Sequence, residues 1–382
     1  MILSKARLVF PDGIRDGLDV VVADGKIAEL RKRSKSDAID LNGSYLAPGF
    51  IDLHIHGGAG RDTMEASMEA FKAICDYHSG GGTTSLLLTT LTAPIPRIVE
   101  VLRAVRDSSR AIKQIAGVHV EGPFISKMRC GGQSEQFIRN PDNESAEQLL
   151  EHSDVIKRFT LAPELPGALE LIDRLRERGI AISGGHSDAS DEQGRAGFAH
   201  GMRHVTHTFN AMSSARRRGV YREAGLLEFA LSEPEILCEL IADGHHVSPT
   251  LIKMLYRAKG PTGICLVTDA IAGAGLGEGT RFPFSGHECV VAGGVCLLAD
   301  RTSLAGSASR MIDLIRVMVN DVKIPLHEAI AMASTNPARA LGSTTKGRLE
   351  SGADADFVVL SPKLEVLQTF VAGERVFESS GK

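Results

Sequence analysis

Six side chains able to bind a divalent metal recur through the middle of the chain: His54, His56, Glu121, His186, His207 and Asp269. They fall in or just after the apolar runs FIDLHIH, GVHVEG, AISGGHS, HVTHTFN and LVTDA. Two apart on a strand, His54 and His56 point to one face, and His119 shares a face with Glu121 in the same way. Any one of these histidines alone is better read as a core residue with a satisfied hydrogen bond. Six in step with a structural repeat are not explained by packing, because buried and unpaired they would cost desolvation with nothing to offset it. Clustered imidazole and carboxylate suit a divalent ion, zinc by default, with iron, manganese or cobalt also fitting.

The elements that must position these groups alternate strand and helix. Strand-like runs at FIDLHIH, TTSLLLTT, IAGVHVEG, IKRFTLAPE, GIAISGGHS, HVTHTFN, EILCELIADG and GICLVTDA are separated by helical spacing. Residues 64–78 carry Met64, Met68, Phe71, Cys75 and His78 on one face. Ile95, Ile98, Val99 and Leu102 follow the Pro94 and Pro96 start signal, and Ser248-Pro249 opens a later helix. Eight units predict an α/β fold with a (β/α)8 TIM-like barrel, with a doubly wound sheet as the competitor. In a barrel the strands' C-terminal ends carry the site, and the six candidates sit at those ends. Residues 281–299 read as an inserted hairpin. The two ends of the chain are strand-rich, with turns at Pro11-Asp12-Gly13 and Asp24-Gly25. They are expected to form one small β-sandwich domain from 1–47 and 348–382 beside a catalytic barrel over 48–347.

Composition sets the class. The 382 residues carry 43 basic and 47 acidic side chains, a net charge of −4 that leaves no global footprint for nucleic acid or an anionic membrane. No run is long enough for a membrane span, and no leader is apparent. The six cysteines form no CxxC pair and read as buried thiols of a reducing, cytoplasmic compartment. The charged run at 31–37 reads as a solvated loop.

The ordered phrases LAPGFIDLHIHG, GVHVEGPF, SGGHSDA, THTFNAM, LIADGHHV, LVTDA, LAGSA and GRLESGADADFVVL span nearly the whole chain. In this order the sequence resembles the amidohydrolase superfamily, and within it the deacetylases of phosphorylated N-acetylamino sugars. The resemblance implies a metal-dependent hydrolase that takes the acetyl group from N-acetyl-D-glucosamine 6-phosphate. It implies Glu121, His186 and His207 as principal metal ligands, with His54 and His56 as a second position bridged through Glu121. Asp269 becomes general base toward the attacking water and then general acid toward the departing amine. Asn210 and Ala211 would bind the phosphate, and Arg222 and His246 would reach in from a neighbouring subunit, making a homodimer with shared sites. Arg216, Arg217 and Arg218 share the loop of Arg222 and read at least as well as a solvated tip.

Two departures stand out. Gln133 takes the place of a histidine that would bind the acetamide carbonyl; its amide can donate but cannot become cationic. Ala224 stands where a proline is usual, in the loop that carries Arg222. Alternatives are the galactosamine isomer, an unphosphorylated N-acyl sugar, and a scaffold that has lost catalysis. Every ligand position is filled, which weighs against the scaffold. Strand four ends Leu161-Ala162-Pro163-Glu164 without the lysine that cyclic-amide hydrolases of the superfamily use.

Overall fold

The computed structural model describes residues 1–33 and 38–380. Eight parallel strands run in unbroken sequential order: β1 Phe50–Ile55, β2 Thr83–Thr89, β3 Ile115–Glu121, β4 Ile156–Leu161, β5 Ala181–Gly184, β6 His204–Val205, β7 Leu237–Leu240 and β8 Ile264–Leu266. The ring closes between its first and last strands. The N–H of His56 donates to the carbonyl of Ala270 (2.8 Å), and that of Asp269 to the carbonyl of His54 (2.9 Å). Fully buried Asp52 fastens the same seam, accepting the Thr268 hydroxyl at 2.6 Å and its N–H at 3.2 Å. This is the (β/α)8 barrel expected from the repeat.

Helices α1 Met68–Ser79, α2 Ile95–Ser108, α3 Asn143–Leu150, α4 Ala168–Glu177, α5 Asp191–His200, α6 Leu226–Ser232, α7 Pro249–Lys259 and α8 Met311–Asn320 surround the strands. Their apolar stripes bury against the ring; in α2 these are Ile95, Ile98, Val101, Leu102 and Val105, with Val99 only half-buried. The expected 64–78 helix is split. Asp62 caps a single 3-10 turn at Thr63–Glu65, left-handed Ala66 stops it, and Ser67 caps a new helix by accepting from the Ala70 N–H. The restart turns Met68 out to solvent, 50% exposed, while Phe71, Cys75 and His78 stay buried. Ser248 sits at the cap of α7, with Pro249 in its first turn, but makes no side-chain cap bond.

Strands from the two ends of the chain pair in one six-stranded sheet, Phe357–Leu360 running antiparallel to Tyr45–Pro48. A four-stranded sheet from the first 40 residues packs beside it, and Leu3, Leu8, Val20, Ile27, Phe357 and Phe370 share one core. The Asp24-Gly25 turn joins Leu18–Ala23 to Lys26–Lys32 with both turn residues left-handed, as a tight hairpin demands. Of the charged run, Arg31 and Lys32 extend that strand rather than a loop, while residues 34–37 lie outside the described residues. The inserted segment is larger than a hairpin: Arg281–Phe284, His287–Ala292, Val295–Leu298 and Leu304–Gly306 form a four-stranded antiparallel sheet. Five cysteines are buried free thiols; Cys130, in the loop after β3, is half-buried instead. Among the described residues no helix is long and apolar enough to cross a membrane.

Candidate active site

The six candidate ligands meet at the C-terminal mouth of the barrel. His54, His56 and Asp269 form one group of converging donor atoms, and Glu121, His186 and His207 form another. Glu121 lies between them. Its Oε1 is 3.2 Å from Nε2 of both His186 and His207 and 3.4 Å from that of His54, while Oε2 is 3.2 Å from Nε2 of His56. Asp269 Oδ1 stands 3.5 Å from His54 Nε2 and 3.3 Å from His56 Nε2.

Each imidazole is anchored from behind. Nδ1 of His56 faces the Thr89 carbonyl (3.2 Å), that of His186 the Arg129 carbonyl (2.8 Å), and that of His207 the Asn210 carbonyl (3.2 Å). Nδ1 of His54 faces Oε2 of Glu239 at 3.3 Å. Acceptors on that side place the proton on Nδ1 and leave the Nε2 lone pairs facing one another, 3.2 Å apart between His54 and His56 and 3.1 Å between His186 and His207. Lone pairs set that close repel unless positive charge sits among them, so this donor set fits a divalent metal.

The two carboxylates favour positive charge at this point, a metal ion or, failing that, protons on the Nε2 atoms. Burial opposes a charge on His54 and His56, yet Glu121 and Asp269 outweigh it, pushing His54 well above its ordinary range and His56 up to about 9. Burial likewise opposes the Asp269 carboxylate, but His54 and His56 hold it down at about 2. Glu121 is held well below the carboxylate range against its burial by His54, His186 and His207.

Local backbone serves the same end. His186, His207, Phe209, Ala211 and Asp269 all have positive φ, a conformation that costs non-glycine residues about 1–2 kcal/mol each. That kink ends β6 at Val205 rather than carrying it through HVTHTFN, and it turns His207 inward. Directly after Glu121, Gly122 has φ +74° and leaves no room for a Cβ, which would lie 2.3 Å from Thr92 Oγ1.

A cavity of about 270 Å³ opens onto the centre. Its wall includes His56, Glu121, Gln133, His186, His207, Asn210, Ala211, His246 and Asp269. Gln133, 5% exposed, is fixed at both ends: its Oε1 accepts the Thr92 N–H (2.7 Å), so its amino group faces Glu121 Oε2 (2.6 Å). The Asn210 amide is turned back on the carbonyl of His207 (3.3 Å). His246 lines the cavity of its own chain, its Nδ1 2.7 Å from Asp243 Oδ2. Arg222 does not reach this cavity; it lies exposed on the hairpin of Arg216–Arg218 and Tyr221–Glu223. On that hairpin Arg216 pairs with Asp188 and Arg218 with Glu223.

Sequence reasoning missed three parts of the site. The inserted sheet supplies a wall through Phe284 and Ser303–Gly306, which only the LAGSA phrase hinted at. Glu239 backs His54, and Arg158 backs Glu239; as charges inside strands they gave no signal. His204, which the sequence does not single out, contacts Arg158.

Comparison with known proteins places this geometry. The model of the amidohydrolase family matches residues 45–376. N-acetylglucosamine-6-phosphate deacetylase of Lysinibacillus sphaericus is 35% identical over 98% of this chain and 97% of its own length. N-acetylgalactosamine-6-phosphate deacetylase of Escherichia coli O157:H7 is 32% identical over 98% of both. The crystal structure of N-acetylglucosamine-6-phosphate deacetylase from Pasteurella multocida superposes with a TM-score of 0.93 at 31% identity, covering 99% of each chain. Matched along most of its length and by fold as well as sequence, the chain belongs to the amidohydrolase family.

Proposed function

We propose that this protein is a metal-dependent hydrolase that removes the acetyl group from N-acetyl-D-glucosamine 6-phosphate, giving glucosamine 6-phosphate and acetate. The observation that carries the reading is the set of Nε2 atoms turned toward Glu121 and Asp269 beside one cavity. Glu121, His186 and His207 would hold the principal metal, and His54 and His56 a second position. A divalent ion, zinc by preference for this nitrogen and oxygen set with iron, manganese or cobalt as alternatives, lowers the pKa of water and polarises an amide carbonyl.

The chain's own groups do the rest. Asp269, ionised across the neutral range, accepts the proton of the attacking water. It then passes that proton to the amide nitrogen as the carbon–nitrogen bond breaks. Gln133 has a second amide N–H to offer the acyl oxygen. Asn210, Ala211 and His246 position the sugar phosphate.

No lysine or arginine is among the described residues lining the cavity, and exposed Arg222 is free to enter that of a second copy. We therefore read the working unit as a homodimer in which the partner subunit's Arg222 meets the phosphate with a bidentate fork. The six free cysteines suit a cytoplasmic setting. We keep 1–47 with 348–382 as the small β domain and 48–347 as the catalytic barrel.

Deacetylation rates over a panel of N-acetylhexosamines, each with and without the 6-phosphate, test the substrate. Equal rates on free and phosphorylated sugars would refute it. A preference for the galactosamine isomer would favour the second reading, to which the Escherichia coli relative points. Asp269→Asn should retain metal and lose about 10²–10⁴-fold in kcat. Mixing Asp269→Asn with Arg222→Ala should restore activity in mixed dimers, since one of their two sites has both native groups; no recovery would exclude sharing.

A further inference from the structure

Beneath the metal-ligating histidines the barrel interior is ionic. Arg158 on β4 is the largest fully buried side chain among the described residues, and Glu239 on β7 is equally buried. Arg158 Nη2 lies 2.9 Å from Glu239 Oε1, and Arg158 also reaches His204 Nδ1 (2.7 Å) and Ser183 Oγ (3.0 Å). The other oxygen of Glu239 has two partners, Nδ1 of His54 at 3.3 Å and the backbone N–H of His207 at 3.2 Å.

A buried ion pair is a poor source of stability, because desolvating both charges offsets their attraction; apolar replacements of similar volume are often neutral or stabilising. The geometry gives this one another use. Glu239 Oε2 contacts a side chain of one candidate metal group and the backbone of a ligand in the other. His56, His186 and His207 turn Nδ1 to backbone carbonyls, whereas His54 turns it to a carboxylate that a cation holds in place.

We infer that Glu239, held by Arg158, is a positioning residue of the metal centre: it accepts the Nδ1 proton of His54, leaving Nε2 for the ion, and ties His54 on β1 to the His207 segment after β6. The inference rests on the proposed metal-binding reading of these histidines.

Two double variants of the full-length protein isolate the acceptor. Both remove the ion pair, but R158M/E239Q keeps an oxygen facing His54 and R158M/E239L does not. Zn²⁺ affinity, by competition with a chromophoric chelator, should fall about 10- to 100-fold in R158M/E239L relative to R158M/E239Q. Long-range ¹H–¹⁵N spectra of the metal-free proteins, taken at alkaline pH where the His54 ring is neutral, should show its proton fixed on Nδ1 in R158M/E239Q and redistributed in R158M/E239L. Equal affinities and equal tautomers in the two would overturn the inference. A wild-type protein that takes up no Zn²⁺ would instead overturn the metal reading, while the tautomer comparison would still judge Glu239. If the doubles do not fold, E239D keeps the pair but shortens its reach. Weakened Zn²⁺ binding and a redistributed His54 proton are then expected, and wild-type values for both would refute the assignment.

Discussion

Replacing Gln133 with alanine should be expensive for a residue outside the ligand set. Its side chain makes two buried hydrogen bonds, one from the Thr92 N–H at 2.7 Å and one to the Glu121 carboxylate at 2.6 Å. The neutral bond contributes about 1 kcal/mol and the charge-assisted one about 1.5–3 kcal/mol, with a further ~1–3 kcal/mol if the Thr92 N–H is left unpaired. Water entering from the adjoining cavity recovers part of this, so we expect a net loss of about 2–4 kcal/mol. Urea unfolding of metal-stripped wild type and Gln133→Ala at one pH reads this directly, free of any effect on turnover. A difference under about 0.5 kcal/mol would refute the argument that these bonds hold Glu121. Kinetics on the reloaded enzymes address the second role: if Gln133 also donates to the acyl oxygen, kcat/KM falls in the alanine variant, and an unchanged kcat/KM would remove it from the substrate's contacts. Gln133→Glu would instead set a second carboxylate against Glu121, a repulsion on the order of 6 kcal/mol at ~2.6 Å and an effective dielectric of ~20, which the pair escapes by binding a proton.

Gly122→Ala should cost at least about 2 kcal/mol in urea unfolding, because the added Cβ meets Thr92 Oγ1 at 2.3 Å in a left-handed conformation; wild-type stability would show that the loop simply shifts. Buried His78 has its pKa pushed down to about 4 by desolvation, against an unfolded value of 6.5, so the unfolded chain binds the proton first as pH falls. Stability is therefore full above pH 6.5 and declines toward pH 4, by about 3 kcal/mol from this group alone, and His78→Phe should flatten that slope in denaturation curves taken between pH 7 and 5. Thiol titration of the native protein should label Cys130 alone, since burial pushes Cys75 and Cys296 up to about 12 and Cys238 and Cys289 up to about 11; all six should react once unfolded. Chelator treatment should abolish turnover and lower the melting temperature, and free Zn²⁺ at a thousandfold its Kd should return both, with about 4 kcal/mol of stabilisation; chelator-resistant activity would contradict the metal reading.

The convergence of the six candidate residues was legible because a parallel barrel gathers strand ends at one mouth, and the apolar runs before His54, Glu121 and Asp269 mark those ends. The terminal sheets were legible for a similar reason, their hairpin turns being written in Asp24-Gly25 and Pro11-Asp12-Gly13. What escaped is set by long-range contact. Nothing local distinguishes Arg158 from a solvent-facing strand residue; only the ring brings it to Glu239. Met68 fits a helical face until Ser67 restarts the helix and rotates it outward. His207 lies beyond the ladder of β6 because left-handed residues at alternate positions, His207, Phe209 and Ala211, bend the chain there, and no apolar period reports a bend.

The seam between β1 and β8 bears on how the protein is made. Asp52 grips Thr268 across 216 residues of sequence, and His54 and Asp269 exchange their backbone bond at the same place. A ribosome that has emitted the first five strands has released three of the six candidate ligands but not the wall that faces them. His54 and His56 meet Glu121 earlier but lack Asp269 until the eighth strand docks, so on the proposed reading a complete metal centre follows synthesis of most of the chain. A truncated product ending before Asp269 would display imidazoles without the closed ring that orients them, a scavenger of metal with no hydrolytic centre.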